Sequence, residues 1–209
     1  MIAVIDYGMG NLRSVINAFA ALDCPAFIAR QPADLTDAHK IILPGVGAFG
    51  DGMANLRAAD WVGALDHEVR QRGKLFLGIC LGMQFLATVG NELGTHEGLG
   101  WVSGVADRIP ADDPAIRIPH IGWNDVTFTK TDGLYAGLGN SQAFYFVHSF
   151  VLNPEAREVV SGVCSYGVDF AASLEADNIY AVQFHPEKSQ RAGLAVLKNF
   201  ALMGGGVNA

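Results

Sequence analysis

Short apolar runs alternate with amphipathic stretches through the first half of the chain. Ile2 to Ile5 predicts a buried strand, and Gly8-Met9-Gly10-Asn11 predicts a turn after it. From about Leu12 to Leu22, the apolar residues Val15, Ile16, Phe19, Ala20 and Leu22 recur at roughly helical spacing. Ala26 to Ala29 and Lys40 to Leu43 predict the next two strands, the second closed by Pro44-Gly45. Residues 53–72 then predict a helix stopped by Gly73, and Leu75 to Ile79 a fourth strand. Met83, Gln84, Phe85 and Leu86 beyond it suit a further helix. Strand and helix alternating in this way imply an α/β fold, with a central, mostly parallel sheet covered by helices on both faces.

The pattern changes in the second half. Trp101 to Ile109, Asn124 to Thr129, Ala143 to Val151, Glu158 to Tyr166, Phe170 to Glu175 and Ile179 to Phe184 all predict strands. Turns such as Thr131-Asp132-Gly133 and Ala176-Asp177-Asn178 join them, so antiparallel strands extend or flank the central sheet. A last helix is expected from about Lys188 to Leu202, and a flexible tail from Gly204 to Ala209. There is no repeat, low-complexity stretch or linker, so residues 1–209 are expected to form a single domain.

Composition narrows the class. Half of the 209 residues are hydrophobic and 17% charged, enough for a large core and incompatible with disorder. A net charge of −7 with scattered Lys and Arg argues against nucleic acid as a partner. No apolar run approaches the roughly 20 residues of a membrane span, and no signal-like segment precedes the first strand. The three cysteines are far apart and form no C-x-x-C, which disfavours both a disulfide framework and a metal site. A cytoplasmic enzyme without metal or cofactor is the expectation.

The chemistry gathers around Gly78-Ile79-Cys80-Leu81-Gly82. A cysteine between glycines, after a strand and before a helix, matches the context of a nucleophile elbow. The turn lifts the sulfur out of the sheet to a helix N-terminus, where unpaired N–H groups suit a sulfur nucleophile. By itself a cysteine is more often a small core residue, but the flanking glycines reverse that preference. A nucleophile needs a base, and the base needs an orienting group. Of the six histidines, His185 follows an apolar strand and lies in His185-Pro186-Glu187, where Glu187 can accept from its ring. Cys80 and His185 both sit just past strand ends, which gather at one rim of a parallel sheet. Acyl transfer also needs oxyanion donors: the Leu81 backbone N–H, and the glycine-rich Gly45-Val46-Gly47 loop. That loop lacks the Lys-Ser/Thr ending of a phosphate loop.

Together these residues resemble the class I, triad-type glutamine amidotransferases. The elbow, extended through Met83-Gln84, and the late His185-Pro186-Glu187 carry the resemblance. Five further segments narrow it to the glutaminase subunits of imidazole glycerol phosphate synthase. They are residues 6–12 (Asp6 to Leu12), Pro44 to Gly47, Pro119 to Asn124, Tyr145 to Phe150 and Gln183 to Ser189. The resemblance implies a flavodoxin-like fold and a Cys80–His185–Glu187 triad that hydrolyses L-glutamine. It implies that Gln84, with backbone groups of Ser149 and Phe150, holds the amino-acid end of glutamine. It further implies a heterodimer with a (β/α)8-barrel cyclase subunit, which receives the ammonia for histidine biosynthesis, with Asn11, Trp123, Tyr145 and Lys188 on the shared face. Phe150 departs from the family, which often carries Tyr there. Glutaminase subunits for anthranilate, guanylate or pyridoxal phosphate synthesis share only the elbow and the His-x-Glu. A stand-alone thiol hydrolase or a non-catalytic subunit is a more distant alternative.

Overall fold

The computed structural model describes residues 1–110 and 116–204; the expected tail lies, from residue 205 on, outside the described residues. In chain order the strands of the first half are β1 (Ile2–Ile5), β2 (Ala26–Ala29), β3 (Lys40–Gly45) and β4 (Leu75–Cys80). The helices among and after them are α1 (Leu12–Ala20), α2 (Phe49–Ala58), α3 (Trp61–Leu65) and α4 (Leu81–Gln84). Two short strands follow, β5 (Val89–Gly90) and β6 (His96–Glu97), and then β7 (Gly104–Arg108), β8 (His120–Phe128) and β9 (Ser141–His148). The chain closes with β10 (Phe150–Pro154), β11 (Val160–Tyr166), β12 (Val168–Ala176), β13 (Ile179–Val182) and α5 (Gln190–Leu202).

A nine-stranded sheet runs in the order β2-β1-β3-β4-β13-β12-β11-β8-β9. Its first five strands pair in parallel and the rest antiparallel; β2, β1, β3 and β4 come from the first half of the sequence, and β13 joins them from the second. Alternate side chains feed opposite faces. Ala3, Ile5, Ile41, Leu43 and Phe76 pack with Phe49, Met53, Leu56 and Trp61 from α2 and α3. Ile2, Val4, Ile42, Leu77 and Ile79 pack with Val15 and Phe19 of α1 and Val196, Leu197 and Phe200 of α5. Helices therefore cover both faces. A second sheet, β10-β7-β5-β6, sends Ala106 and Leu152 into the first of these cores.

Several elements depart from the sequence pattern. The single helix expected over 53–72 starts earlier, at Phe49, and breaks after Ala58. Asp60 takes φ +57°, a left-handed conformation that Asp tolerates, and this turn swings Trp61 fully into the core. A π-helical turn over Asp66–Gln71 then continues from α3. The strand expected over 143–151 is two strands, because the chain leaves the large sheet at Ser149 and enters the small one at Phe150. α5 begins at Gln190 rather than Lys188, since Pro186–Lys188 forms a tight 3-10 turn of its own. The run expected from Trp101 forms a strand only from Gly104, whereas β8 starts four residues before the expected Asn124. β5 and β6 have no counterpart in the sequence reading.

Candidate active site

Strand β4 delivers Cys80 and α4 begins at the next residue. Cys80 has φ +55° and ψ −108°, a strained conformation for a side chain with a Cβ. The glycines around it are set by how tightly α4 folds back onto the sheet. A Cβ on Gly82 would collide with the Leu43 carbonyl oxygen of β3, and one on Gly78 would sit 2.6 Å from the Gly82 carbonyl oxygen. The strain at Cys80 is thus held by backbone packed on backbone.

Strand β13 lies beside β4, with Val182 opposite Ile79. His185 emerges three residues beyond that pair and is almost fully buried. Its Nδ1 and the Glu187 Oε1 are 2.8 Å apart, both side chains out of solvent. Burial lowers the imidazole's affinity for a proton, but the Cys80 sulfur and the Glu187 carboxylate together outweigh it and raise the His185 pKa to about 10. The sulfur is near enough to act on the ring, yet His185 Nε2 has no partner that meets hydrogen-bond geometry among the described residues. Such a contact tightens when substrate enters between base and nucleophile.

A cleft of about 500 Å³ opens over the sulfur, at the carboxyl ends of β3 and β4. Val46, Gly47, Cys80, Leu81, Gln84, Ser149 and Phe150 all line it. Gly45 stands behind, paired with Cys80 across the sheet, and a Cβ there would collide with the Tyr7 hydroxyl. Gly47 takes φ +99°, a conformation suited to glycine. Gln84 is buried and its Nε2 donates to Phe150 O at 2.9 Å and to Gln183 Oε1 at 3.2 Å. The sequence reading gave no role to Gln183, which donates from Nε2 to Cys80 Sγ at 3.6 Å. The available signal was its place two residues before His185, in the segment that carries the base. Glu92 was also missed: it lines the cleft and accepts from Phe49 N at 2.8 Å, after a strand that the hydropathy pattern does not reveal.

His120 and His148 form a second buried pair, His120 Nδ1 and His148 Nε2 lying 3.0 Å apart, and His148 also lines the cleft. His120 stacks between Phe146 and Tyr166, and His148 Nδ1 lies 3.0 Å from Phe150 O. Burial holds the His120 pKa down to about 4 and, with the His120 and His185 charges adding to it, that of His148 to about 3. Both are neutral rings at ordinary pH. On the outer strands, Trp123 and Tyr145 are register partners in edge-on contact, and the Lys188 ammonium lies 5.8 Å from the centre of the Tyr145 ring. Asn11 caps α1, accepting from Ser14 N. No cluster of three or more metal-ligating side chains occurs among the described residues. Nor is any helix among them long and apolar enough to cross a membrane.

A strained cysteine facing a buried imidazole–carboxylate pair, under a cleft at the rim of a parallel sheet, is equipped for acyl transfer through sulfur. Residues 3–203 match the family described as "Glutamine amidotransferase class-I", and the chain belongs to that family and, within it, to the HisH subunits. It is 48% identical over 199 residues to the imidazole glycerol phosphate synthase subunit HisH of Moorella thermoacetica, covering 95% of this chain and 93% of that one. It is also 48% identical over 201 residues to the HisH 1 subunit of Campylobacter jejuni, covering 96% and 99%. Among solved structures, PurLQS from Thermotoga maritima shares the fold, with a TM-score of 0.75 at 20% identity over 95% of this chain and 96% of that one. The protein is therefore a glutamine-hydrolysing amidotransferase.

Proposed function

We propose that this chain is the glutaminase subunit of an imidazole glycerol phosphate synthase and that Cys80, His185 and Glu187 carry its chemistry. The observation that carries the reading is the strained, positive-φ Cys80 at the head of α4, beside the His185–Glu187 pair and open to the cleft. The Cys80 sulfur attacks the side-chain carbonyl carbon of glutamine, and the oxyanion faces the Leu81 N–H, with the Gly45–Gly47 loop as the second source of donors. His185, which holds its proton beside the Cys80 sulfur and the Glu187 carboxylate, gives that proton to the departing nitrogen, so ammonia leaves and a thioester forms. The neutral ring then takes a proton from water, whose oxygen adds to the thioester carbon, and glutamate is released with the sulfur restored. Glu187 holds the ring through Nδ1 and offsets its charge. Gln84, Ser149 and Phe150 bind the amino-acid end of the substrate.

In this reading the ammonia serves a cyclase subunit of (β/α)8-barrel type, docked over Trp123, Tyr145, Lys188 and Asn11, and the complex works in the cytoplasm. Similarity of 48% over nearly the whole length to subunits of that synthase supports it over anthranilate, guanylate or pyridoxal phosphate synthesis. Reconstitution with such a cyclase tests it. Cys80→Ala is expected to abolish glutamine-dependent synthesis and to spare synthesis driven by ammonium salts. Loss of both, or of neither, refutes the division of labour.

A further inference from the structure

Hydrogen-bond polarity around the cleft follows from one atom. A carbonyl oxygen can only accept, and Phe150 O faces Gln84 Nε2 at 2.9 Å. Gln84 must therefore present its NH2 group there, and its second hydrogen falls to Gln183 Oε1 at 3.2 Å. With its oxygen so engaged, Gln183 has only its own NH2 to present to Cys80 Sγ, 3.6 Å away. Turning the Gln183 amide over would set two NH2 groups against each other at Gln84. The chain of donors thus has one direction, from Phe150 O through two amides to the sulfur.

Sheet register explains why the amide arrives there. Val182 pairs with Ile79, so the next rung sets Gln183 beside Cys80. Gln183 is completely buried, and its own backbone N–H is anchored on Ala172 O. Val182 and Phe184, its neighbours on either side, pack in one hydrophobic core, which also holds Cys80. The contact from Gln183 is the one hydrogen bond to the sulfur among the described residues, since His185 Nε2 makes none.

We propose that Gln183 is a further catalytic residue, whose amide N–H holds the Cys80 sulfur in position for attack and steadies negative charge on it. The proposal rests on Cys80 being the nucleophile. An N–H donor to a charged acceptor is stronger than one to a neutral acceptor, so the contact counts most when the sulfur is ionised. Gln84 and the Phe150 carbonyl act one step back, as positioning groups that keep the Gln183 NH2 turned inward.

Iodoacetamide alkylation of Cys80, followed by mass spectrometry of its peptide, reads the sulfur without any glutamine present. Gln183→Glu keeps the size and the acceptor for Gln84 but removes the donor. Gln183→Asn keeps the amide and draws it back by one methylene. Both variants are expected to slow alkylation roughly tenfold or more, and to lower kcat for glutamine by a similar factor with KM within about threefold of the parent. Melting curves accompany each variant. Alkylation within about twofold of the parent in a folded variant overturns the proposal, even if glutaminase activity is lost, because Gln183 would then act on substrate alone. Should neither variant fold, a crystal structure of the parent decides. An amide nitrogen on Sγ supports the proposal, and a side chain turned from the sulfur overturns it. A parent chain that alkylates at Cys80 but never releases glutamate, even with its cyclase, would instead refute the glutaminase reading and leave the alkylation comparison intact.

Discussion

Lowering the pH from neutrality asks His148 to take up a proton that its place in the fold disfavours. Burial is the largest cause; the Phe150 carbonyl opposes it, and charge on His120 or His185 adds to it, leaving a pKa of about 3. In the unfolded chain the same ring titrates near 6.5. The folded value is depressed, so below about pH 6.5 the unfolded state binds the extra proton and the native state does not. Stability is therefore full above that pH and falls on acidification, until the folded ring also charges near pH 3. At about pH 5 the loss from this one residue comes to about 2 kcal/mol. His120, lowered to about 4 by burial, acts in the same direction. His185 acts the opposite way: with its pKa raised to about 10, its contribution is full below the unfolded value and is lost only as the pH climbs toward 10. It does not weaken the fold in the acid window. Urea unfolding of the parent and of His148→Gln at about pH 7, 6 and 5 isolates the effect, because titrations common to both chains cancel. The parent should lose about 2 kcal/mol more than the variant across that range. Stabilities that track one another within about 0.5 kcal/mol would refute the reasoning, and so would an NMR titration of His148 near 6.5 in the folded protein.

Two further outcomes test the packing around the elbow. Gly82→Ala should cost about 3 kcal/mol or more, since its methyl meets the Leu43 backbone carbonyl rather than a side chain that could move; a melting temperature within a degree or so of the parent would contradict this. Tyr7→Phe removes a buried hydroxyl that has no hydrogen-bond partner among the described residues, so stability should stay level or rise by about 1 kcal/mol in denaturant unfolding. A clear loss would mean that the hydroxyl has a partner after all.

Legibility followed the range of the interactions. The parallel half could be read because a buried strand and an amphipathic helix each carry their own period, and β1 and β2 fall within the expected limits. The helix break at Asp60 was hidden, since apolar spacing on either side stays helical and only the burial of Trp61 demands the turn. The strand change at Ser149 was hidden for a similar reason: Ala143 to Val151 reads as one extended run, and which sheet each part joins depends on partners far along the chain. At the site, Gly47, Gln84 and Phe150 were named from motifs, whereas Glu92 follows a two-residue strand too short to leave a pattern.

Local sequence suffices for the alternating architecture, the elbow cysteine and the His185–Glu187 pair. Each of these is written within a few consecutive residues, where local sterics and hydrophobic period act. It takes the assembled fold to bring Gln183 to the sulfur, the Gln84 amide to Phe150 and His120 to His148. Those contacts span 103, 66 and 28 residues of chain. They exist because sheet order and strand register bring distant rungs side by side, and no local pattern encodes which rung meets which.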